Sequence, residues 1–419
     1  MRILWFSNTP ANADEYFNNE LKGTGGWLKA LDKSLQKHVE LHIAFYYDQD
    51  VKDFQYKKTY YHPIFRGKKG LLAKYLGKRL SKIVFREDVE KYLNIIDKVK
   101  PDLIHIHGTE NPFGYVQDFV DIPVCISIQG NITVYYHKFF SGLEKRYLKY
   151  SSNVIKKITG IQEFKIEYNN FSKMQKREQE ILQKCRYILG RTGWDHQITR
   201  ILAPKSEYFY TGEILREGFY NNSWKHYDDR PFTIFTTSGN SFYKGFETLC
   251  SSLKLLIDSN DLNFEWRVAG VSENDSIVKV IKKKLGSHYP KKGLCLLGRL
   301  NGNELIDQLL DSSIYVMPSH IENSPNNLCE AMILGLPCIA TYAGGTSSLM
   351  EHGKDGLLIQ DGDPWSMAGG VLELFHNTEK AVKMGATARK KAILRHDRQK
   401  IITDLQVAYF KILNENKII

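Results

Sequence analysis

The sequence predicts an α/β protein of two domains, each a parallel sheet covered by helices on both faces. Three observations support this fold class. Short apolar segments alternate with amphipathic helical patterns along nearly the whole chain. The apolar segments are hydrophobic almost throughout, which is typical of parallel strands buried on both sides. The length of 419 residues suits two domains, and a polar stretch from Tyr220 to Pro231 separates two series of candidate strands.

The first series of candidate strands is interspersed with helical patterns. The strands are Arg2–Ser7, Glu40–Tyr46, Leu103–His107, Val124–Ile128 and Tyr187–Gly190. From Arg86 to Lys100, apolar residues recur at three- and four-residue spacing, and this helix ends before Pro101, as helices usually do before a proline. We therefore expect an N-terminal Rossmann-like domain over residues 1–215.

In the second series, each candidate strand is followed by a helical pattern. The strands are Phe232–Thr237, Trp266–Ala269, Leu294–Leu297, Ile314–Met317, Pro337–Ala340 and Leu357–Ile359. We expect a C-terminal Rossmann-like domain over residues 225–395. The segment Arg398–Leu413 is one amphipathic helix with no strand after it, so we expect residues 396–419 to cross back onto the N-terminal domain. Ligands of doubly wound sheets bind at the carboxyl ends of the strands, which predicts an active site in a cleft between two facing domains.

Composition and charge exclude several classes of protein. No apolar stretch approaches the roughly 18–20 residues that cross a bilayer, and the short apolar run at the start does not resemble a signal peptide. The six cysteines are scattered without C-x-x-C spacing, so we expect reduced thiols in the cytoplasm and no zinc site. The formal net charge of +11 favours an anionic partner.

The densest chemical signal follows the candidate strand Ile314–Met317. A loop leads from this strand into a helix that we expect to begin near Asn326. The first N–H groups of a helix have no intrahelical acceptor and carry the positive end of the helix dipole. The amides of Asn326, Asn327 and Leu328 therefore suit a bound phosphate.

Two glutamates flank this helix start. Glu322 lies in the loop ahead of it, and Glu330 lies one turn inside the helix. One carboxylate can therefore reach a group on one side of the phosphates, and the other carboxylate can reach a group on the opposite side. This arrangement fits a ligand with two polyhydroxyl parts flanking a diphosphate, which describes a nucleotide sugar.

The sequence around these glutamates resembles a known family. Glu322 and Glu330 form the E-x7-E motif of the retaining glycosyltransferases of family four, which have the GT-B fold. The segments PSHIENSPNNLCEAM, GLPCIAT and HGKDGLLIQDGDP agree with that family at many positions. The resemblance is strong across residues 266–368 and weaker through GTGGWLKAL, PDLIHIHG and LGRTGWD in the first half. It implies a retaining hexosyltransferase that uses a nucleotide-diphosphate sugar.

The resemblance implies donor-binding roles for residues of the C-terminal half. Glu330 would accept hydrogen bonds from the ribose hydroxyls of the nucleotide. Glu322 and the backbone amides after it, those of Asn323 and Ser324, would hold the donor sugar. Lys244, in a Lys-Gly pair ahead of a helix, would neutralise the diphosphate leaving group, so that Glu322 and Lys244 are catalytic as well as donor-binding.

In the N-terminal half the resemblance implies two further contacts. Gly25 and Gly26 match the loop after the first strand, where glycine lets the backbone approach a ligand closely. His107, at the end of its strand, matches a catalytic histidine near the transferred sugar. His105 shares its strand face and is a rival for that role.

One departure from the family concerns the cation beside Lys244. The family commonly has an arginine shortly before the Lys-Gly pair, and this chain has the segment TSGN there instead. Arg191, Arg216 and Arg299 are candidates to assist Lys244, and the sequence does not choose between them. Arg299, which follows a strand, is also a candidate to contact the nucleotide base.

The expected mechanism is front-face substitution, because no carboxylate is evident as the nucleophile of a double displacement. The diphosphate would leave and the acceptor hydroxyl would enter on the same face of the sugar. Lys244 and the helix amides would stabilise the leaving group, so we expect neither a metal nor a cofactor. The expected acceptor is a saccharide, free or lipid-linked, in the biosynthesis of a surface polysaccharide or another glycan.

The positive charge is concentrated between Arg66 and Arg86, where basic residues interleave with aliphatic ones and no acid occurs. A basic amphipathic helix over Leu71–Phe85 fits either a solvated helix packed on the sheet or docking on an anionic membrane surface. The second reading would place a cytoplasmic protein at the inner face of the membrane.

Two alternatives to the glycosyltransferase stay open. One is a nucleotide-sugar epimerase or phosphorylase of the same fold, although no motif for a pyridoxal-binding lysine pocket is evident. The other is a non-catalytic protein that binds nucleic acid or membrane. We do not expect nucleic acid as a partner, because the sequence has no recognition motif and its basic residues interleave with aliphatics rather than stacking aromatics.

Overall fold

The computed structural model describes residues 1–17, 26–65, 87–151, 163–227, 230–259 and 264–417. Gly25 and the segment Leu71–Phe85, to which the sequence assigns roles, lie outside these residues. The chain divides into two compact units, each assembled from separate segments. The N-terminal unit consists of Met1–Thr133, Asn169–Arg216 and His396–Ile419, and the C-terminal unit consists of Val134–Tyr168 and Glu217–Arg395.

The N-terminal unit is built on an eight-stranded sheet. Its strands are β1 (Arg2–Ser7), β2 (Glu40–Tyr47), β3 (Phe54–Tyr56), β4 (Thr59–Phe65), β5 (Leu103–His107), β6 (Val124–Ser127), β7 (Tyr187–Gly190) and β8 (Glu207–Tyr210). They lie in the order β3-β4-β2-β1-β5-β6-β7-β8. Neighbouring strands are parallel except for β3 and β4, which are antiparallel. The carboxyl end of β5, at His107, therefore lies in the middle of one sheet edge.

The C-terminal unit is built on a six-stranded, wholly parallel sheet. Its strands are β9 (Thr233–Thr237), β10 (Glu265–Ala269), β11 (Leu294–Gly298), β12 (Ile314–Met317), β13 (Cys338–Thr341) and β14 (Leu357–Ile359). They lie in the order β11-β10-β9-β12-β13-β14. The predicted fold class, with two α/β sheets, is confirmed. Because β12 lies between β9 and β13, the loops that follow these three strands meet at one edge.

Helices connect the strands as the sequence periodicity predicts. They are α1 (Ala13–Tyr16), α2 (Gly26–Leu35), α3 (Glu87–Val99), α4 (Ile132–Lys138), α5 (Glu163–Leu182), α6 (Gly193–Leu202), α7 (Glu217–Tyr220), α8 (Phe246–Ser259), α9 (Ser276–Leu285), α10 (Gly302–Leu310), α11 (Asn326–Leu334), α12 (Pro364–His376), α13 (Thr378–Arg395) and α14 (Arg398–Lys417). Short 3₁₀ segments occur at Pro112–Asp118, Lys145–Ser151, Phe242–Lys244, Gly286–His288 and Gly344–Ser348.

The last helix completes the core of the N-terminal unit. Leu405 and Tyr409 of α14 pack in one buried cluster with Trp5 of β1 and Leu28 of α2. The opposite face of the same sheet packs against α3 and the 3₁₀ segment after β5. The apolar stripe of α14 thus covers one face of the sheet that carries His107.

Three strands of this sheet were not predicted from the sequence periodicity. β4 contains Pro63, and a proline argues against a strand between two others. β8 lies at the sheet edge and is only partly buried, so it lacks a continuous apolar run. The three-residue β3 also departs from the wholly parallel sheet that the sequence predicts. A tight turn through Lys57, whose φ is 56°, joins it to β4, and an antiparallel neighbour needs no crossover helix.

The aromatic stretch after α4 packs on the core of the C-terminal unit. Leu148 and Phe164 belong to that unit's buried cluster, and Phe140, Tyr147 and Tyr150 pack against it. The sequence boundary at residue 215 places this stretch in the N-terminal domain, whereas its contacts group Val134–Tyr168 with the C-terminal unit. Its large side chains therefore stabilise the unit that also carries the E-x7-E segment.

Candidate functional site

An ion pair marks the carboxyl edge of the six-stranded sheet. Nζ of Lys244, from the loop after β9, lies 2.6 Å from Oε1 of Glu322, from the loop after β12. The hydroxyl of Ser319 donates to the same oxygen over 2.8 Å. The Lys244 side chain is 26% exposed and that of Glu322 is 6% exposed, so the pair is open to solvent on the lysine side.

A glycine brings these two loops together. Gly245 has a left-handed φ of 71°, and a Cβ there would lie 1.9 Å from the carbonyl oxygen of Pro318. Only glycine allows this close approach of the turn after β9 to the end of β12. The Lys-Gly pair is thus needed both for the cation and for its placement beside Glu322.

The environment of Lys244 favours its charged form. Burial alone would lower its pKa, but the neighbouring Glu322 carboxylate outweighs burial, and the pKa of Lys244 is raised. A charged lysine at this edge can exchange the carboxylate for another anion.

The helix α11 begins next to this pair without a side-chain cap. Its N-cap is Pro325, and no acidic residue occupies the first turn. The amide of Leu328 is already bonded to the carbonyl of Pro325 at 3.1 Å and to Oδ1 of Asn327 at 3.0 Å. Of the amides that the sequence assigns to a phosphate, those of Asn326 and Asn327 are therefore better placed than that of Leu328.

The remaining donor-binding candidates lie in or beside this helix start. Asn327 is oriented by its side-chain NH₂, which donates to Oγ1 of Thr237 at 2.7 Å. Oδ1 of Asn326 is buried, and among the described residues it has no hydrogen-bond partner. Glu330 and Asn323 are buried, and Ser324 is half-buried. The E-x7-E residues are thus buried on a loop and a helix rather than lying on a solvated surface.

In the N-terminal unit, His105 and His107 differ in their hydrogen bonding. His105 is bonded on both sides, with Nδ1 2.6 Å from the hydroxyl of Tyr409 and Nε2 2.6 Å from the hydroxyl of Ser127. Both ring nitrogens of His107 are buried, and within the described part of the chain neither has a hydrogen-bond partner. His105 is therefore a satisfied core histidine, while His107 retains its full hydrogen-bonding capacity.

Aromatic rings hold His107 in place. Its ring centroid lies 3.9 Å from that of His105, 4.6 Å from that of Trp5 and 5.7 Å from that of Trp27. It lines a small cavity of about 20 Å³, which is about the size of one water molecule. Burial, reinforced by His105 and by the positive charge of Arg191, lowers the pKa of His107 well below its usual range. The residue is thus a neutral imidazole.

Two of the candidate arginines already have close neighbours in the N-terminal unit. Nη2 of Arg191 lies 2.7 Å from Oε1 of Glu213, and both side chains are buried. The aliphatic stem of Arg216 covers Gly26, where an added Cβ would lie 2.7 Å from both Cγ and Cδ of the arginine. The sequence patterns did not indicate Glu213 as the partner of Arg191, because the two residues lie on different loops.

The third candidate, Arg299, is exposed and follows β11, an edge strand of the C-terminal sheet. It belongs to the same unit as Lys244. A cluster closer to the E-x7-E segment was not predicted from the sequence: His320 lies between Glu247 and Asp361. Its only signal in the sequence was a histidine two residues before Glu322.

No group of three or more His, Cys, Asp and Glu side chains among the described residues is arranged to hold a metal ion. None of the helices there combines the length and apolar character needed to cross a membrane.

Known proteins resemble this chain in sequence. Residues 219–391 match the family model described as glycosyl transferases group 1. An uncharacterized glycosyltransferase of Methanocaldococcus jannaschii is 24% identical over 363 residues, which cover 84% of this chain and 85% of that protein. The N-acetyl-alpha-D-glucosaminyl L-malate synthase of Bacillus anthracis is 29% identical over 115 residues, which cover 27% of this chain and only 30% of that protein.

Solved structures share the fold across nearly the whole chain. Sucrose-phosphate synthase from Thermosynechococcus elongatus matches with a TM-score of 0.71 at 13% identity, covering 99% of this chain and 100% of that chain. Anabaena HepE in complex with UDP and glucose matches with a TM-score of 0.66 at 14% identity, covering 98% of this chain and 99% of that chain. The resemblance carried by the E-x7-E segment is thereby confirmed: residues 219–391 are similar to the group 1 glycosyl transferases, and the chain has the GT-B fold.

Proposed function

We propose that this protein is a retaining hexosyltransferase that moves a sugar from a nucleotide-diphosphate sugar to a saccharide acceptor. The observation that carries the proposal is the Lys244–Glu322 ion pair beside the uncapped start of α11. A cation, a carboxylate and helix amides are the groups needed to hold a diphosphate next to a sugar.

When the donor binds, Lys244 would exchange its ion-pair partner Glu322 for the diphosphate. Oε1 of Glu322 accepts from Lys244 and from Ser319, which leaves the second carboxylate oxygen for a sugar hydroxyl. When the diphosphate enters, Lys244 would turn to it together with the amides of Asn326 and Asn327, and Glu322 would accept from the sugar. Glu330 would accept from the ribose hydroxyls.

The proposed reaction is a front-face substitution. The acceptor oxygen forms a bond to the anomeric carbon, the bond from that carbon to the diphosphate oxygen breaks, and its electron pair stays with the diphosphate. The acceptor proton passes to the leaving phosphate oxygen. Lys244 and the α11 amides stabilise the negative charge that develops there, so that no metal is needed.

His107 is assigned to the transferred sugar. Its neutral ring can donate one hydrogen bond and accept another, and its nitrogens are not used by the described residues. A fixed, neutral donor next to a forming oxocarbenium ion avoids the repulsion that an imidazolium would cause.

The proposed donors are tested by thermal shift with UDP-, GDP-, ADP- and dTDP-sugars. HepE was solved with UDP and glucose, so UDP-sugars come first. We expect one nucleotide series to raise Tm in wild type and to do so less in Glu330→Gln. If no series raises Tm while a known retaining enzyme responds in the same assay, the proposed function is wrong.

Product analysis separates transfer from epimerisation. With the donor identified, proton NMR of the reaction with candidate saccharide acceptors should show a new glycosidic bond of the same anomeric configuration as the donor. An epimerase would instead yield an altered sugar nucleotide in the absence of acceptor.

We also propose that the acceptor is lipid-linked and belongs to surface polysaccharide or glycan biosynthesis. The basic run from Arg66 to Arg86 supports docking on anionic lipid. Flotation with vesicles tests this, since equal recovery with neutral and anionic vesicles at low salt would contradict it.

A further inference from the structure

The imidazole of His320 is held between two carboxylates. Its Nε2 lies 2.6 Å from Oε1 of Glu247, and its Nδ1 lies 3.3 Å from Oδ2 of Asp361. The side chains of His320 and Glu247 are 3% and 6% exposed. Two carboxylate acceptors call for two N–H donors, which only the doubly protonated ring provides.

The charges around this ring favour its protonated form. Burial alone would lower the pKa of His320, but hydrogen bonding to Glu247 and the charges of Glu247 and Asp361 outweigh it, and the pKa is raised. Lys138, from α4, faces the cluster over a distance of 3.7 Å from its Nζ to Oδ2 of Asp361. The cluster thus joins an imidazolium to two carboxylates, one of which also faces a lysine.

A glycine backbone closes over the pair. Gly142 has a left-handed φ of 71°, and a Cβ there would lie 1.9 Å from Oε1 of Glu247 and 2.8 Å from Nε2 of His320. Its carbonyl accepts from Nζ of Lys284, which anchors it to α9. Covering an ion pair with backbone excludes water and strengthens the attraction between the charges.

The cluster ties together the loops of the proposed donor site. His320 lies two residues before Glu322, and its amide donates to the carbonyl of Tyr243 over 2.7 Å. Tyr243 precedes Lys244 in the loop after β9, while Asp361 lies in the loop after β14. The amide of Gly345, after β13, donates to the carbonyl of Glu322 over 2.9 Å. One imidazolium therefore joins the loops that follow β12 and β14 to the start of α8.

We propose that His320 is a positioning residue, which with Glu247 and Asp361 holds the Ser319–Glu322 loop in its donor-binding conformation under the Gly142 backbone. This inference rests on the proposed function of Glu322 and Lys244. The imidazolium contributes fully at pH values below the unfolded pKa of histidine, about 6.5, and its contribution is lost as pH rises through the raised folded pKa. Donor affinity should then weaken on the alkaline side.

The variants His320→Ala, His320→Gln and Glu247→Gln test the proposal through donor kinetics against pH. We expect His320→Ala to raise KM for the donor about 10-fold with kcat changed less than about 3-fold, the signature of weakened binding. His320→Gln, which keeps one donor, should recover part of the loss and show no alkaline rise in KM. Glu247→Gln should move that rise to lower pH.

Gly142→Ala should raise KM in the same way, because its Cβ would enter the ion pair. Gly353→Ala is the matched control, since Gly353 also has a left-handed φ, of 78°, but no heavy atom lies within 4 Å of its added Cβ. If both glycine variants behave alike, or if His320→Ala keeps the KM and pH profile of wild type, the positioning role is wrong.

Amide hydrogen exchange without donor separates this inference from the proposed function. His320→Ala and Glu247→Gln should speed exchange in residues 319–323 at least 10-fold relative to wild type, while α12 exchanges as before. Unchanged exchange in residues 319–323 would overturn the positioning role even if donor transfer is demonstrated. Conversely, faster exchange in a protein that binds no nucleotide sugar would leave the cluster's role in place and refute the proposed function.

Discussion

The hydroxyl of Tyr409 lies 2.6 Å from Nδ1 of His105 and so joins the last helix to the strand that carries His107. The indole N–H of Trp5 donates to the same hydroxyl over 3.1 Å. Because an indole nitrogen can only donate, the tyrosine must direct its own proton to His105. His105 then carries its proton on Nε2 and donates to Ser127, which orients the whole chain of bonds from Trp5 to Ser127.

Tyr409→Phe removes the centre of this chain. It leaves the Trp5 N–H and Nδ1 of His105 buried without partners, so we expect a loss of about 1–3 kcal/mol in the free energy of unfolding. Urea unfolding measures it. Phe410→Leu, next to it on the same helix but 53% exposed, is the control and should change stability by less than about 0.5 kcal/mol. An equal loss in both variants would contradict the role of the hydroxyl.

His105 and His107, two buried histidines of β5, predict a loss of stability in mild acid. Burial and Arg191 lower the pKa of His105 to about 3, and that of His107 is also strongly lowered. Both stay neutral in the folded protein while the unfolded chain takes up protons below about pH 6.5. The free energy of unfolding should therefore fall with decreasing pH, by up to about 1.4 kcal/mol per pH unit for each histidine.

This slope is measured by urea unfolding between pH 7 and pH 5. His107→Gln should reduce it by the share of one histidine. A slope that is the same in both proteins would show that other groups cause it.

His107→Gln should separate activity from stability. His107 makes no hydrogen bond with the described residues, so its replacement breaks none, but it removes the ring packing against His105 and Trp5. We expect sugar transfer to fall about 100-fold in kcat under conditions in which urea unfolding shows the variant to be fully folded. Steady-state kinetics with the identified donor provide the measurement, and retention of full kcat would remove His107 from the mechanism.

Lys244→Ala should impair departure of the diphosphate. We expect kcat/KM to fall about 10²- to 10³-fold, as for the loss of one preorganised group at a developing charge. Lys244→Arg keeps the charge and should recover part of the activity. Binding of the free nucleoside diphosphate, followed by calorimetry, should weaken in the alanine variant. A variant with normal affinity and turnover would refute the assignment of Lys244 to the leaving group.

Gly26→Ala should displace Arg216, because the new methyl would lie 2.7 Å from both Cγ and Cδ of the arginine. We expect a loss of about 1–3 kcal/mol, the usual cost of overpacking. Gly369→Ala, in α12 with no heavy atom within 4 Å of its added Cβ, should instead gain about 1 kcal/mol from helix propensity. Thermal unfolding of both variants gives the comparison.

Secondary-structure elements were predicted correctly from the sequence where hydrophobic periodicity and a dense motif coincide. The strand Ile314–Met317 and the helix start at Asn326 were both predicted at the residues where they occur. A continuous apolar run followed by an amphipathic stripe specifies such a unit locally. The strands β3, β4 and β8 were missed because edge position, a proline and partial burial each weaken the apolar run.

Contacts between segments that are distant in the sequence could not be predicted from it. The bond from Tyr409 to His105 spans 304 residues, and the one from His320 to Glu247 spans 73. The bonding partners of a histidine depend on which elements the fold brings together. The sequence therefore left His105 and His107 as rivals, and the difference became visible only through Tyr409 and Ser127.

The position of α14 has a consequence for the order of folding during synthesis. The core of the N-terminal unit needs Leu405 and Tyr409, which the ribosome adds after every residue of the C-terminal unit. The unit that begins the chain is thus the last to be completed. Until then, the face of β1 that bears Trp5 lacks the part of its cover that α14 provides, so nascent chains stalled before residue 400 should recruit chaperones through that face.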